Sequence, residues 1–361
     1  MPTQMNKLNF EGQNIYAGFD VHLKDWKVTI LSEEMMLKSF TMPPKPEVLS
    51  DYLLKNYPGA SYHSAYEAGF CGLWAHYQLC ELGIHNIVVN PSDVPGTQKD
   101  KLQKEDKRDS RKIAFALRSG NLTPIYTPSE STLNDRSLVR SRKTLVNDMV
   151  RFKNRIKGLL NFYGIEMPEE FTNSRKHWNR RFMLWLESIH MKELSGEMAL
   201  KHQISEARYM KELLKSILLD IKHLSETDKY RENVKLLRSI PGIALLTAMV
   251  ILTEVEDINR FPNSERFASF IGLIPMTRSS GEKQKVGEIT FRAHDFLRSI
   301  IIESSWVAVS RDPALLMAYQ KLIRRMEHNN ALIRIAKKLS NRIYTVLKYN
   351  KIYEFGKTDN L

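Results

Sequence analysis

Four carboxylates in the first third of the chain have the spacing and setting of a metal-dependent phosphoryl-transfer site. Asp20 lies near the end of an apolar run (NIYAGFDVH), and Glu67 ends another (YHSAYE) just before an Ala-Gly break. Asp106 and Asp109 follow as a D-x-x-D in EDKRDSRKIAFAL, where the chain turns helical. At i and i+3 on a helix two carboxylates project from one face. Side chains alternate along a strand, so Asp20 points away from Phe19 and Val21. Four acids converging from two strand ends and one helix offer oxygen ligands, which suit Mg2+ or Mn2+. Two such ions about 3.5–4 Å apart stabilise both oxygens of a phosphoryl displacement. Lys99, Lys101, Lys104, Lys107, Arg108, Arg111 and Lys112 surround the D-x-x-D and would hold a phosphate backbone beside it. Taken singly, each acid also fits a turn-former, a solvated group or a first-turn helix residue. The four together point to a site.

The elements that must position these acids read as α/β. NIYAGFDVH, DWKVTIL and MMLKSFTM are β-branched and aromatic runs joined by polar breaks, the pattern of consecutive antiparallel strands. Pro43-Pro44 ends the third, and 47–56 has helical spacing. Residues 62–67 read as a fourth strand, 69–82 as a helix stopped by Gly83, and 84–89 as a fifth strand, which makes a mixed sheet with helices against it. From 132 to 163 there is no proline, and Leu138, Leu145, Met149, Phe152, Ile156, Leu159 and Leu160 recur at helical spacing. Arg136, Arg140, Arg142, Lys143, Arg151, Lys153, Arg155 and Lys157 flank that stripe, against Asp135 and Asp148. A helix of this kind can pair in a bundle or coiled coil through one face and follow nucleic-acid phosphates with the other. Residues 198–224 read as a second long helix.

The last third reads as mainly helical. Residues 236–240, Pro241-Gly242 and 244–252 form a helix, a tight turn and a helix. This is either a plain αα-corner or a helix–hairpin–helix whose turn and following helix N-terminus donate N–H groups to a DNA phosphate. A short helix over 264–272 precedes MTRSSGEKQKVGEIT, a loop or β-hairpin containing Arg278, Ser279, Ser280, Lys283 and Lys285. Helices at 300–309 and 330–347 follow, the second with Arg334, Lys337, Lys338 and Arg342 on a polar, solvated side.

Composition narrows the class. Across 361 residues, 54 Lys+Arg against 41 Asp+Glu leave a net charge of +13, which points to a polyanionic partner. The longest apolar stretch, 243–255, is too short to cross a bilayer, which takes about 20 residues. MPTQMNKLNF lacks the apolar region of a secretory signal, so a cytoplasmic, nucleoid-associated protein with no membrane partner is expected. Two cysteines, Cys71 and Cys80, exclude a disulfide framework or a Cys-rich zinc site. The histidines at 177, 190, 202 and 223 are too dispersed for metal-ligand spacing, and no Walker A sequence supports use of ATP.

Asp20 in YAGFDVH, Glu67 in YEAG and the D-x-x-D of Asp106 and Asp109 resemble the DEDD motif of the IS110 family of insertion-sequence transposases. LLRSIPGIALLTAMVILTEV, RFASFIGLIPM, SSGEKQKVGEIT and FLRSIIIESSWVA resemble that family's C-terminal segments in order and spacing, so the likeness covers nearly the whole chain. The resemblance implies an RNase H-like (RuvC-like) N-terminal domain at 1–125, a helical or coiled-coil arm at 126–230, and a mainly helical C-terminal domain with a helix–hairpin–helix at 231–361. It further implies that Ser280 attacks the scissile phosphodiester to form a phosphoserine link to DNA, with Ser279 the alternative. Other implied features are Mg2+ on the four acids, an element-encoded guide (bridge) RNA, and a homo-oligomer, dimer or tetramer. Nucleic-acid contacts are expected from Lys107, Arg108, Arg111, Arg140, Arg142, Lys143, Arg151, Lys153, Arg155, Lys157, Gly242, Arg278, Lys283, Lys285 and Arg298. Where many relatives carry a Gly-Asn pair, this chain has Ala293-His294. A RuvC-like Holliday-junction endonuclease using the acids alone, and a non-catalytic nucleic-acid-binding protein, are the competing readings.

Overall fold

A computed structural model describes residues 9–95, 106–173, 177–280, 283–289 and 293–355, with backbone alone for 106–108, 275–280 and 283–289. The chain forms two compact units, Met1–Thr127 and Pro128–Leu361.

In the first unit, β1 (Asn14–Val21), β2 (Trp26–Leu31) and β3 (Met36–Met42) are the three expected antiparallel strands. Helix α1 (Pro46–Asn56) leads to β4 (Ser61–Glu67), then α2 (Trp74–Glu81), β5 (His85–Val89) and, further on, α3 (Asp106–Arg118). Strands β4 and β5 add in parallel to β1, giving the order β3-β2-β1-β4-β5, consistent with an RNase H-like N-terminal domain. Helix α2 starts later than the apolar spacing suggests, because Gly72 takes a left-handed φ of 66° and turns the chain first.

Alternation decides which side of β1 does what. Ile15, Ala17, Phe19 and Val21 are buried with Leu49 and Leu53 of α1 and Leu79 of α2. Gly18 and Asp20 therefore face the other side, where α3 lies. The helix sits so close that a Cβ on Gly18 would fall 2.6 Å from Ala114 Cα and 2.5 Å from the Ser110 carbonyl oxygen, and against Ala114 N. A buried hydroxyl pair, Thr29 Oγ1 to Ser110 Oγ at 3.1 Å, fixes the same helix to β2.

The second unit begins with α4 (Glu130–Phe162), a 33-residue helix about 50 Å long. The short α5 (Arg180–Glu187) precedes α6 (Leu194–Ser225). Val139 of α4 shares a core with Ile217 and Ile221 of α6, while Ile156 and Leu160 share another with Leu200 and Ile204. The two long helices thus run antiparallel. Phe171, Phe182 and Leu186 fill the far end of this pair. At its near end, α7 (Arg231–Arg238), α8 (Leu245–Val255), α9 (Ser264–Ile271), α10 (Asp295–Arg311), α11 (Pro313–Ile323) and α12 (His328–Tyr349) build the main core. Every residue of α8 from Thr247 onward is buried, the polar Thr247, Thr253 and Glu254 included. Strands β6 (Pro275–Ser280) and β7 (Lys283–Ile289) form a hairpin between α9 and α10.

Arg342 departs from the solvated polar side expected for α12. It is buried and ion-paired with Asp312, which also caps α11 by accepting from the Ala314 and Leu315 amides. Tyr353 Oη donates to the same carboxylate at 2.6 Å. One buried acid thus joins the α10–α11 corner to α12. Among the described residues, no helix is long and apolar enough to cross a membrane.

Candidate catalytic and nucleic-acid-binding sites

Strands β1 and β4 run in parallel register as far as Phe19↔Tyr66, and that ring pair belongs to the core face. Asp20 and Glu67 come one residue later on each strand, so both lie on the opposite face, the one α3 covers. On α3, Asp106 is the first residue and Asp109 stands one turn further along. Asp109, one residue before the Ser110 that touches β2, is part-exposed, with Lys112 Nζ 3.4 Å away. Sheet topology and the Gly18 contact therefore direct the two strand ends and the acidic helix to one side of the sheet. The donors are carboxylate oxygens, a hard set that fits Mg2+ or Mn2+. Among the described residues no group of three or more His, Cys, Asp and Glu side chains lies close enough to hold a metal; the Asp106 side chain is outside them.

Two further groups flank Asp20. His22 Nε2 lies 2.9 Å from an Asp20 carboxylate oxygen. Cys71 donates its thiol to the Val21 carbonyl at 3.5 Å, and burial, followed by the Asp20 charge, pushes that thiol pKa up. Neither residue stood out in the sequence: the D-x-H spacing could have pointed to His22, whereas the approach of Cys71 from 50 residues away left no signal.

In the second unit Ser280 ends β6 and pairs with Lys283, and Arg278 pairs with Lys285 across the hairpin. Gly281 and Arg292 lie outside the described residues. Gly272 closes α9 in the left-handed region (φ 86°), with Ala293 directly against it. The ends of α9 and α10 therefore meet at the hairpin's base.

The Pro241-Gly242 turn joins α7 to α8. Gly242 has φ 90°, and a Cβ there would lie 2.5 Å from the Ser304 carbonyl and 2.9 Å from Ala308 N. Its first demand is thus packing against α10. The N-terminus of α8 has Ala244 as its cap residue, so no side chain caps its first-turn amides. Arg238 and Arg311 line the same cavity of about 520 Å³. Arg311 did not stand out in the sequence.

The expected cations divide into two sets. Arg140 gives both Nε and Nη2 to the Glu254 carboxylate at 2.7 Å, Arg136 Nε donates to the Thr253 carbonyl, and His294 Nε2 is 3.1 Å from Glu254. The Glu254 side chain is fully buried. Burial alone would raise its pKa, but hydrogen bonds from His294 and Arg140 more than offset this and hold it at about 2. Arg142 is half-buried, and burial lowers its pKa. Lys143 lies over the Phe296 ring at 4.3 Å, and Arg298 pairs with Asp295 at 2.7 Å. Further along α4, Arg151 and Arg155 are exposed, Arg151 beside Asp148 at 2.9 Å. Lys153 lies over Trp178, and burial, then Lys211 and Lys157, lower its pKa. Arg111 is exposed on α3 over the Phe115 ring. Only the backbone is described for Lys107, Arg108, Arg278, Lys283 and Lys285.

A five-stranded sheet bearing acids at adjacent strand ends, followed by a helical unit, fits an RNase H-like domain joined to a helical one. Residues 17–165 match the DEDD transposase family of IS110, and residues 234–320 match the transposase family IS116/IS110/IS902. The chain is 27% identical to the transposase for insertion sequence element IS1533 of Leptospira borgpetersenii, over 81% of this chain and 85% of that protein. It is 25% identical to the transposase for IS1111A of Coxiella burnetii, over 76% and 74%. With the transposase for IS1328 of Yersinia enterocolitica the identity is 24%, over 66% and 69%. The chain belongs to the IS110 family of insertion-sequence transposases.

Proposed function

We propose that this transposase cuts and rejoins DNA through a covalent phosphoserine intermediate, using Ser280 with Asp20, Glu67, Asp106 and Asp109. The observation that carries the reading is the shared sheet face of Asp20 and Glu67, with the Asp109 helix seated on that face through Gly18. Ser280, at the end of a hairpin strand between two lysine- and arginine-bearing segments, supports the nucleophile role. In the first step the Ser280 oxygen bonds to phosphorus as the bond to the 3′ oxygen breaks. The hydroxyl proton passes to solvent, and the 3′ oxygen takes up a proton. A second DNA 3′ hydroxyl then attacks the phosphoserine and returns the serine hydroxyl, so no ATP is needed. A divalent cation on the four carboxylates would supply Lewis-acid stabilisation of the charge developing on these oxygens. Arg278, Lys283 and Lys285 would hold the phosphate, and the N-terminus of α8, with Gly242 and Arg311, would hold a neighbouring one.

In this reading 1–125 is the metal-binding domain, 126–230 the arm, and 231–361 the nucleophile domain. The family resemblance supports an element-encoded guide RNA that selects donor and target DNA, and a homo-oligomer, dimer or tetramer. The exposed cations of α4 support nucleic-acid contact by the arm.

A nicked suicide substrate in Mg2+, resolved on a denaturing gel, tests the reading. A protein–DNA adduct is expected from the wild type and none from Ser280→Ala or Asp20→Asn. Cutting by Ser280→Ala at the wild-type rate would overturn the serine mechanism and leave a junction nuclease. If Ser279→Ala alone abolishes the adduct, the nucleophile is Ser279.

A further inference from the structure

Two adjoining cavities of about 620 and 500 Å³ meet at Ala293 and His294, where the chain leaves the Ser280 hairpin. Arg260, Arg266, Ser269 and Phe270 line the larger one, and Lys143, Asn147 and Phe296 the smaller. One carboxylate, Asp295, lies among the lining residues, and it is paired with Arg298. The larger cavity is walled by a ladder of flat groups. The Arg260 guanidinium lies 4.4 Å from the Phe261 ring centre and 4.6 Å from that of Phe270, and Phe270 lies 5.5 Å from the His294 ring, tilted 52° to it.

This ladder of rings and guanidinium lines an open cavity, where its members can pack against another flat π-system. Arg266 and Lys143, on either side, add positive charge for groups next to that π-system. A small anion would need the cations without the ladder, and an apolar peptide the rings without the cations. A nucleobase with its flanking phosphates uses both, and it can enter only if unpaired. We propose that this groove takes one unpaired nucleotide of a single strand, its base extending the Arg260–Phe270–His294 ladder and its phosphates on Lys143 and Arg266. The proposal shares with the transposase reading only that a nucleic-acid strand runs near the Ser280 hairpin; binding is measured without cleavage.

The test uses the full chain and short oligonucleotides bearing 2-aminopurine, as single-stranded DNA, single-stranded RNA and fully paired duplex. Single strands should bind with quenched fluorescence, and the tighter of the DNA and RNA arms identifies the source of the strand. Phe270→Leu keeps an apolar side chain against Phe261, so it should fold. It should lose the quench and bind about tenfold more weakly, with an unchanged salt slope. Arg260→Met, on the ladder's other member, should reproduce that loss. Lys143→Gln and Arg266→Gln should keep the quench but each reduce the slope of log K against log salt by about 0.7. Asp20→Asn and Ser280→Ala should bind as the wild type does, which separates this proposal from the chemistry. Wild-type quench and affinity in both Phe270→Leu and Arg260→Met, or equal quenching of the paired duplex, would overturn it.

Discussion

Gly18→Ala tests the seat of the acidic helix. The added Cβ would stand 2.6 Å from Ala114 Cα, whereas ordinary contact begins at 3.4 Å, and the obstructing atoms are backbone rather than a side chain that can rotate away. Relief requires α3 to lift from β1 by about 1 Å, since a packed interior has no slack to absorb the atom. Overpacking of this kind costs about 1–3 kcal/mol of stability. The larger consequence is chemical. Asp109 and Asp106 ride on α3 while Asp20 and Glu67 stay with the sheet, and a misplacement of about 1 Å can slow a reaction about 100-fold. Adduct formation on the suicide substrate, followed over time at several Mg2+ concentrations, should show that loss together with a higher Mg2+ requirement. Gly83→Ala is the control. Gly83 has φ +80° with nothing within 4 Å, so alanine there adds backbone strain alone and should leave the rate intact. Ala114→Gly should not rescue Gly18→Ala, because it removes no backbone atom. A wild-type rate and Mg2+ dependence in Gly18→Ala would refute the claim that this contact sets the acids' geometry.

Glu254 yields a pH prediction. Its pKa is held at about 2 against an ordinary 4.5, so it contributes about 3 kcal/mol that is fully present above pH 4.5 and lost as pH falls toward 2. Urea unfolding from pH 6 to pH 2.5 should show that decline in the wild type and not in Glu254→Gln, which should already be the less stable protein at pH 6. Arg342→Met leaves the buried Asp312 charge without its cation and should cost about 3–5 kcal/mol by the same assay. Arg151→Ala on the exposed part of α4 should change stability by less than about 0.5 kcal/mol. The same substitution should reduce the salt slope of duplex binding by about 0.9 if that cation meets a phosphate.

The sheet was legible because its strands obey simple rules: alternation on β1, polar breaks after Val21 and Leu31, and glycine at the end of α2. The side of β1 that carries Asp20 followed from alternation alone. That α3 covers this side did not, because the cause is a missing Cβ at Gly18, and a glycine inside a strand run reads only as a weak point. Glu254 was invisible for a related reason. It closes an apolar run, and its partners come from 114 and 40 residues away in Arg140 and His294. Arg342 likewise read as one more cation on a helix face until Asp312 was found beneath it.

These long-range pairings change what the basic charge of the arm means. In sequence, the cations from Arg136 to Lys157 form one stripe of even character. In the fold the stripe divides. Arg136 and Arg140 turn inward to a single buried carboxylate of α8, and His294, at the start of α10, reaches the same acid. These two arginines form a joint between the long helix and the core bearing the Ser280 hairpin. Arg136 and Arg140 hold their charges in hydrogen bonds that a phosphate would have to break. Arg151 and Arg155, three to four turns further out, have no buried partner among the described residues. Replacing Arg140 should therefore loosen the fold at the base of the arm, whereas replacing Arg151 and Arg155 should weaken nucleic-acid binding and leave the fold intact.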